Sequence, residues 1–122
     1  MSSARAHLVF VYGSLRRGQR HHRLLGGSRL LGLHRTAPGY TMIDLGAYPG
    51  VVDDGQTAVT GEVYRVSGAC LRVLDWFEGC PAHYRRTAIA TPWGAAWIYL
   101  LGRTVRRPAR RVAGGDWCRR RG

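Results

Sequence analysis

The stretch that most constrains this chain is Leu8-Val9-Phe10-Val11-Tyr12-Gly13-Ser14-Leu15-Arg16-Arg17-Gly18-Gln19. A run of β-branched and aromatic residues specifies a buried first strand, over roughly residues 7–12. Tyr12-Gly13-Ser14-Leu15 breaks that run before any helical periodicity begins, so a loop opens there. Gly13 carries no Cβ, which lets the following amides lie close to a ligand and aim donors at an anionic oxygen, as in a backbone nest. Taken alone, the stretch reads more readily as an ordinary strand-to-loop turn.

A chain of 122 residues that is 45% hydrophobic can bury a core without a metal or a disulfide, and reads as a single domain over 1–122. No apolar run approaches the ~20 residues that span a bilayer, and residues 1–7 lack the apolar centre of a signal peptide. The expectation is a cytoplasmic protein with no membrane partner. The formal net charge is +12, and all 19 basic residues are arginine. Arginine pairs well with phosphate, yet these residues are scattered along a chain that also lacks Asn. That pattern fits a compositional bias better than a selected patch. The expected consequence is salt-sensitive, non-specific attraction to nucleic acid, with no specific nucleic-acid partner. Cys70, Cys80 and Cys118 are odd in number and read as reduced thiols. Neither Cys80 with His83 nor the His21-His22 pair has a second ligand pair, so no metal site is expected.

Further along, Arg23-Leu24-Leu25 allows one helical turn before Gly26-Gly27, and Ser28 to Ala37 gives a loosely specified second strand. Tyr40 to Leu45 is a third strand, Asp53-Asp54-Gly55 a turn, and Thr57 to Val66 a strand with Glu62, Tyr64 and Val66 on one face. Tyr84 to Thr91 and Ala95 to Leu101 flank Thr91-Pro92-Trp93-Gly94, which has the signature of a type I turn, and so form a hairpin. Arg103 to Arg111 reads as a solvated basic excursion, after which Gly114-Gly115-Asp116-Trp117 returns an aromatic to the body. About six strands and two short helical pieces make an α+β fold dominated by mixed strands.

A helix near 69–78, capped by Ser67, carries the chemistry. Leu71, Leu74 and Glu78 stand at i, i+3 and i+7, so the stripe that buries the leucines also turns Glu78 inward. Gly79 ends the helix, and Pro81 prevents its resumption. Desolvation and the negative end of the helix dipole both disfavour a carboxylate there, which predicts a raised pKa for Glu78.

VFVYGSLRRGQ at 9–19 and LDWFEGCPAHYRR at 74–86 together resemble the γ-glutamylcyclotransferase-like (AIG2-like) superfamily, and within it the γ-glutamylamine cyclotransferases. GEVYRV at 61–66 also looks like that family, and the ending around Gly115-Asp116-Trp117 is similar to its compact bacterial members. The resemblance covers most of residues 7–117. It implies a small, closed or nearly closed mixed β-barrel with short flanking helices. It further implies a cofactor-free enzyme, of transferase or lyase type, that turns a small γ-glutamyl amine into 5-oxoproline and a free amine by intramolecular aminolysis. Glu78 occupies the family's acid position, and Tyr12, Gly13, Ser14 and Leu15 its substrate loop. Tyr48, in Tyr48-Pro49-Gly50, matches a loop beside the pocket, and Tyr84 follows the acid segment. Both tyrosines serve equally well as packing aromatics. The chain is short after the acid-bearing helix and hairpin, where longer members carry an insertion, which leaves the released amine open. Glutathione-specific relatives continue the Tyr-Gly-Ser-Leu loop differently.

The chain holds two Glu and five Asp. Asp53, Asp54 and Asp116 sit in turn-like sequence, and Asp75 lies off the helix stripe. Glu62 competes with Glu78 as a buried acid, its bland role being a partner to an arginine. At most one of Arg85 and Arg86 can face a pocket. A different class of function, a non-enzymatic module of the same fold binding a small anion or RNA, rests on the net charge alone and gives a buried Glu78 nothing to do.

Overall fold

The computed structural model describes residues 6–102 and 110–119. Its elements are strand β1 (Ala6–Val11), a 3-10 turn (His22–Leu25), β2 (Arg29–Arg35), β3 (Tyr40–Asp44), β4 (Pro49–Thr57), β5 (Thr60–Ser67), helix α1 (Gly68–Phe77), β6 (Tyr84–Thr91), β7 (Gly94–Leu101), β8 (Arg110–Arg111) and a second 3-10 turn (Trp117–Arg119). The expected basic excursion falls largely at 103–109, outside the described residues.

β1 is the centre of a five-stranded sheet ordered β2-β5-β1-β7-β6. It runs antiparallel to β5, with Val9 opposite Tyr64, and parallel to β7, with Val9 opposite Trp97. A strand flanked on both edges and covered on both faces must be apolar at successive positions, and Val9, Phe10 and Val11 are all buried. Val9 and Val11 pack with Leu71 and Leu74 of α1. Phe10 joins Val63, Ile98, Leu100 and Trp117 in a second cluster, so the aromatic near the C-terminus does return to the body.

A smaller sheet, ordered β4-β3-β8, packs beside the first. The α+β class holds, but the expected barrel does not: the described strands form two separate ladders, and neither is closed. The physical reason lies in Tyr48 to Val52. This segment is not wholly a loop, because Pro49 to Val52 pair with β3. Gly50 then meets β7 through side-chain contact with Leu101, where an added Cβ would sit 2.9 Å from Leu101 Cδ2. Side-chain packing joins the two layers where a barrel would need hydrogen bonds. Asp53 to Gly55, expected as a turn, lie within β4 as an irregularity, since the register jumps from Thr41 opposite Val52 to Tyr40 opposite Thr57.

α1 forms where the spacing predicts. Ser67 Oγ accepts from the Cys70 amide at 3.0 Å, and Gly79 at φ 67° takes the left-handed conformation that ends the helix at Glu78. β6 and β7 pair along their full length through the two-residue turn at Pro92-Trp93. No helix among the described residues is long and apolar enough to cross a membrane.

Candidate active site

β1 and β7 run parallel and α1 crosses beside them, so the loop after β1, the body of β7 and the C-terminal end of α1 meet around one cavity of about 250 Å³. This lies just below the ~300–1,000 Å³ typical of small-molecule sites. Its wall contains every residue singled out from the sequence: Tyr12, Gly13, Ser14, Leu15, Tyr48, Glu78 and Tyr84. It also contains His21, Pro49, Phe77, His83 and Tyr99.

Glu78 arrives through the helix register. Leu71 and Leu74 are buried, and the next position on their stripe is the carboxylate at the cavity. Among the described residues, no hydrogen bond or ion pair engages that carboxyl. Burial pushes its pKa up to about 7, as the sequence leads one to expect, with desolvation as the cause. The same carboxylate raises the pKa values of Tyr12, Tyr84 and Tyr99 further, which places it in the electrostatic reach of all three.

Opposite the acid character of Glu78, the loop after β1 supplies donors. None of the hydrogen bonds among the described residues takes up the amides of Gly13, Ser14 or Leu15. Gly13 is required for a reason other than ligand approach: a Cβ at this position would lie 2.6 Å from Pro49 Cγ. The loop is held from outside the cavity. Arg16 N donates to Gly13 O at 3.0 Å, and Glu62 accepts from Arg17 N at 2.8 Å and Tyr64 Oη at 3.0 Å. The Arg16 guanidinium bridges Glu62 at 3.4 Å and Asp116 at 2.8 Å. Glu62 is therefore the partner of an arginine, the bland role foreseen for it, and its carboxyl supports the loop from behind.

The three inner tyrosines keep their protons and have already committed their O–H groups as donors. Tyr12 Oη donates to Tyr99 O at 2.6 Å, Tyr84 Oη to Pro49 O at 2.8 Å, and Tyr99 Oη to Asp75 Oδ1 at 2.6 Å. Tyr84 thus both packs and lines the cavity, and Tyr48 packs at its rim against His83, ring centroids 6.4 Å apart. Asp75, off the helix stripe as expected, also accepts two hydrogen bonds from Arg86 at 2.8 and 3.0 Å. Despite partial desolvation, these bonds from Arg86 and Tyr99 lower its pKa. Arg86 stacks on Trp97 at 4.3 Å and Arg85 pairs with Asp53 at 2.9 Å, so neither lines the cavity. Sequence reasoning missed Tyr99 and His21. The alternation of β7 marks Tyr99 only as facing one side, and His21 was legible only as half of a His-His pair.

Residues 9–119 match the sequence profile of the family described as γ-glutamyl cyclotransferase, AIG2-like. The chain is 50% identical over 114 residues to a Vibrio cholerae protein provisionally named a γ-glutamylcyclotransferase, covering 93% of this chain and 97% of that one. It is 40% identical over 95 residues to the human γ-glutamylaminecyclotransferase, covering 67% of this chain and 60% of that one. Among solved structures, the Escherichia coli protein YtfP superposes with a TM-score of 0.72 at 37% identity, covering 92% of this chain and 96% of that one.

Proposed function

The chain belongs to the γ-glutamyl cyclotransferase, AIG2-like family, and from that premise we propose that it is a γ-glutamylamine cyclotransferase with Glu78 as its general acid and base. The reading is carried by one observation: a carboxyl that no described residue engages, with its pKa raised to about 7, shares a cavity with three main-chain donors that are uncommitted among the described residues.

The chemistry follows from that pairing. A γ-glutamyl amide brings an α-amine that must be unprotonated to attack its own γ-carbonyl carbon. A base whose pKa lies near neutrality takes that proton without becoming too weak to act. The new C–N bond closes a five-membered ring and leaves a tetrahedral oxyanion. As the oxyanion collapses, the original C–N bond breaks, the departing nitrogen takes the proton held by Glu78, and the surplus proton of the ring nitrogen leaves with the released amine as its ammonium form. The products are 5-oxoproline and a free amine, with Glu78 returned to its carboxylate state and no water consumed. The amides of Gly13 to Leu15 hold the substrate's oxygens so that the chain is bent before reaction. Orientation of this kind is worth roughly 7 kcal/mol or more in favourable intramolecular systems.

A γ-glutamyl amine fits the site because, among the described residues, Glu78 is the one Asp, Glu or Arg side chain in a cavity wall that is otherwise largely aromatic. The released portion therefore meets apolar surface rather than a charged selector. The decisive assay is release of 5-oxoproline from a panel of γ-glutamyl amines, including ε-(γ-glutamyl)lysine, with glutathione as the comparison. Turnover of the amines ahead of glutathione supports the reading. Folded protein that binds γ-glutamyl compounds without cyclising any of them would return it to a binding module.

A further inference from the structure

We infer that His21 is a substrate-positioning residue whose Nε2–H hydrogen-bonds the α-carboxylate of the γ-glutamyl group at the Gly13 to Leu15 end of the cavity. The inference rests on the cyclotransferase reading and assigns a part of the substrate that the acid does not handle.

The observation behind it is a ring whose nitrogens no described residue engages. His21 is fixed at its main chain: its amide donates to Ser14 O at 2.9 Å, and its carbonyl accepts from Leu24 N at 3.0 Å. Its ring packs on Phe77, the residue before Glu78, with centroids 4.8 Å apart at 54°. Nδ1 is enclosed and is the one buried side-chain nitrogen or oxygen without a partner among the described residues. Nε2 makes no hydrogen bond within the described protein either, but it is not enclosed. An enclosed N–H with no acceptor is the rarer and costlier orphan, so the proton belongs on Nε2, the nitrogen with access. His21 thus presents a donor in the wall it shares with Ser14 and Leu15.

The substrate supplies the matching acceptor. A γ-glutamyl amine carries one permanent anion, its α-carboxylate, and an anion entering an apolar cavity must be met by donors. The chain has 19 basic residues, all arginine, and none of those among the described residues lines this cavity. Among the described residues, the uncommitted donors at the loop end are the three amides, the Ser14 hydroxyl and the His21 ring. His83, the other histidine of the wall, packs instead on Tyr84 and Tyr48, with centroids 5.0 and 6.4 Å away. The α-amine and γ-carbonyl belong beside Glu78, which leaves the α-carboxylate for the loop and His21.

The test compares a γ-glutamyl amine with its 4-aminobutanoyl analogue, which lacks only the α-carboxylate and cyclises to 2-pyrrolidinone with release of the same amine. For His21→Leu, kcat/KM on the γ-glutamyl substrate should fall about tenfold to a hundredfold, the range expected for one hydrogen bond to a charged group, mainly through KM. On the analogue, the variant should match wild type within about twofold. His21→Gln, whose amide nitrogen can stand where Nε2 does, should recover most of the loss, whereas His21→Asn should not. His83→Leu should show no selective loss on the carboxylate-bearing substrate. Equal fractional losses on both substrates, or recovery by Asn and not Gln, would overturn the assignment while leaving the cyclotransferase reading intact. Wild-type protein that cyclises no γ-glutamyl amine would overturn both.

Discussion

Asp116 Oδ1 accepts from Arg16 Nη1 at 2.8 Å, so the loop that carries the free amides is tied to a carboxylate a hundred positions further along the chain. Glu62 holds the same guanidinium from another side at 3.4 Å. Arg16 and Glu62 are both buried, and removing one member of a buried ionic cluster leaves the others uncompensated.

Arg16→Met should therefore destabilise the protein by about 3 kcal/mol, measured as a lowered urea midpoint. Asp116→Asn keeps a hydrogen-bond acceptor and should cost less, about 1 kcal/mol. In both variants, 5-oxoproline formation measured well below the melting temperature should fall further than in surface Arg→Met controls. Unchanged activity in folded Arg16→Met would show that the amides hold their places without the anchor.

The pKa of Glu78, raised from 4.5 to about 7, sets the direction of the pH–rate profile. A base must be ionised to act, so kcat/KM should rise with pH through about 7 with unit slope and then level, until other groups titrate. Glu78→Gln should lose about 10²–10⁴-fold in rate and with it this acidic limb. Persistence of the limb in the Gln variant would assign it to another group.

The same shift has a consequence for stability. Because the folded pKa lies above the unfolded one, the favourable contribution of protonated Glu78 is complete below about 4.5 and is lost as pH rises through about 7. At about 1.4 kcal/mol per pH unit, discounted for solvent in the open cavity, the loss is roughly 2 kcal/mol. Glu78→Gln should accordingly melt several degrees above wild type at pH 8 and level with it at pH 4, as calorimetry at the two pH values would reveal. A variant less stable than wild type at pH 8 would contradict this.

Gly13 and Pro49 form a coupled pair. Gly13→Ala places a methyl group 2.6 Å from Pro49 Cγ, and such overpacking costs about 1–3 kcal/mol. Replacing Pro49 with Gly in the same protein removes the clash. The double variant should then be more stable than the sum of the two single losses predicts, in a double-mutant cycle followed by chemical denaturation. Strict additivity would mean that the methyl group finds room elsewhere.

Legibility in the sequence followed the range of the interactions involved. The inward turn of Glu78 could be read because Leu71, Leu74 and Glu78 are related by helix geometry alone, and the Ser67 cap and Gly79 stop are equally local. The strand at β1 announced itself through three successive apolar residues, Val9, Phe10 and Val11. What escaped depended on distant partners. Asp53 to Gly55 have the composition of a turn, but pairing of the residues on either side with β3 draws them into β4. The barrel is what the resemblance implies, and nothing in the chain itself says whether β4 meets β7 by hydrogen bonds or by packing. Tyr99 enters the site because Asp75, on another element, holds its hydroxyl. His21 enters because a loop hydrogen bond to Ser14 carries it to the cavity.

β1 leaves the ribosome before β5 and β7, so Val9 finds its neighbours only when Tyr64 and then Trp97 have been made. The nascent chain must therefore keep this apolar strand waiting until both have emerged. Pairings of such long sequence separation are slow and expose sticky surface meanwhile. The keystone is made before the strands that hold it, and every pause in translation between β1 and β7 lengthens its exposure.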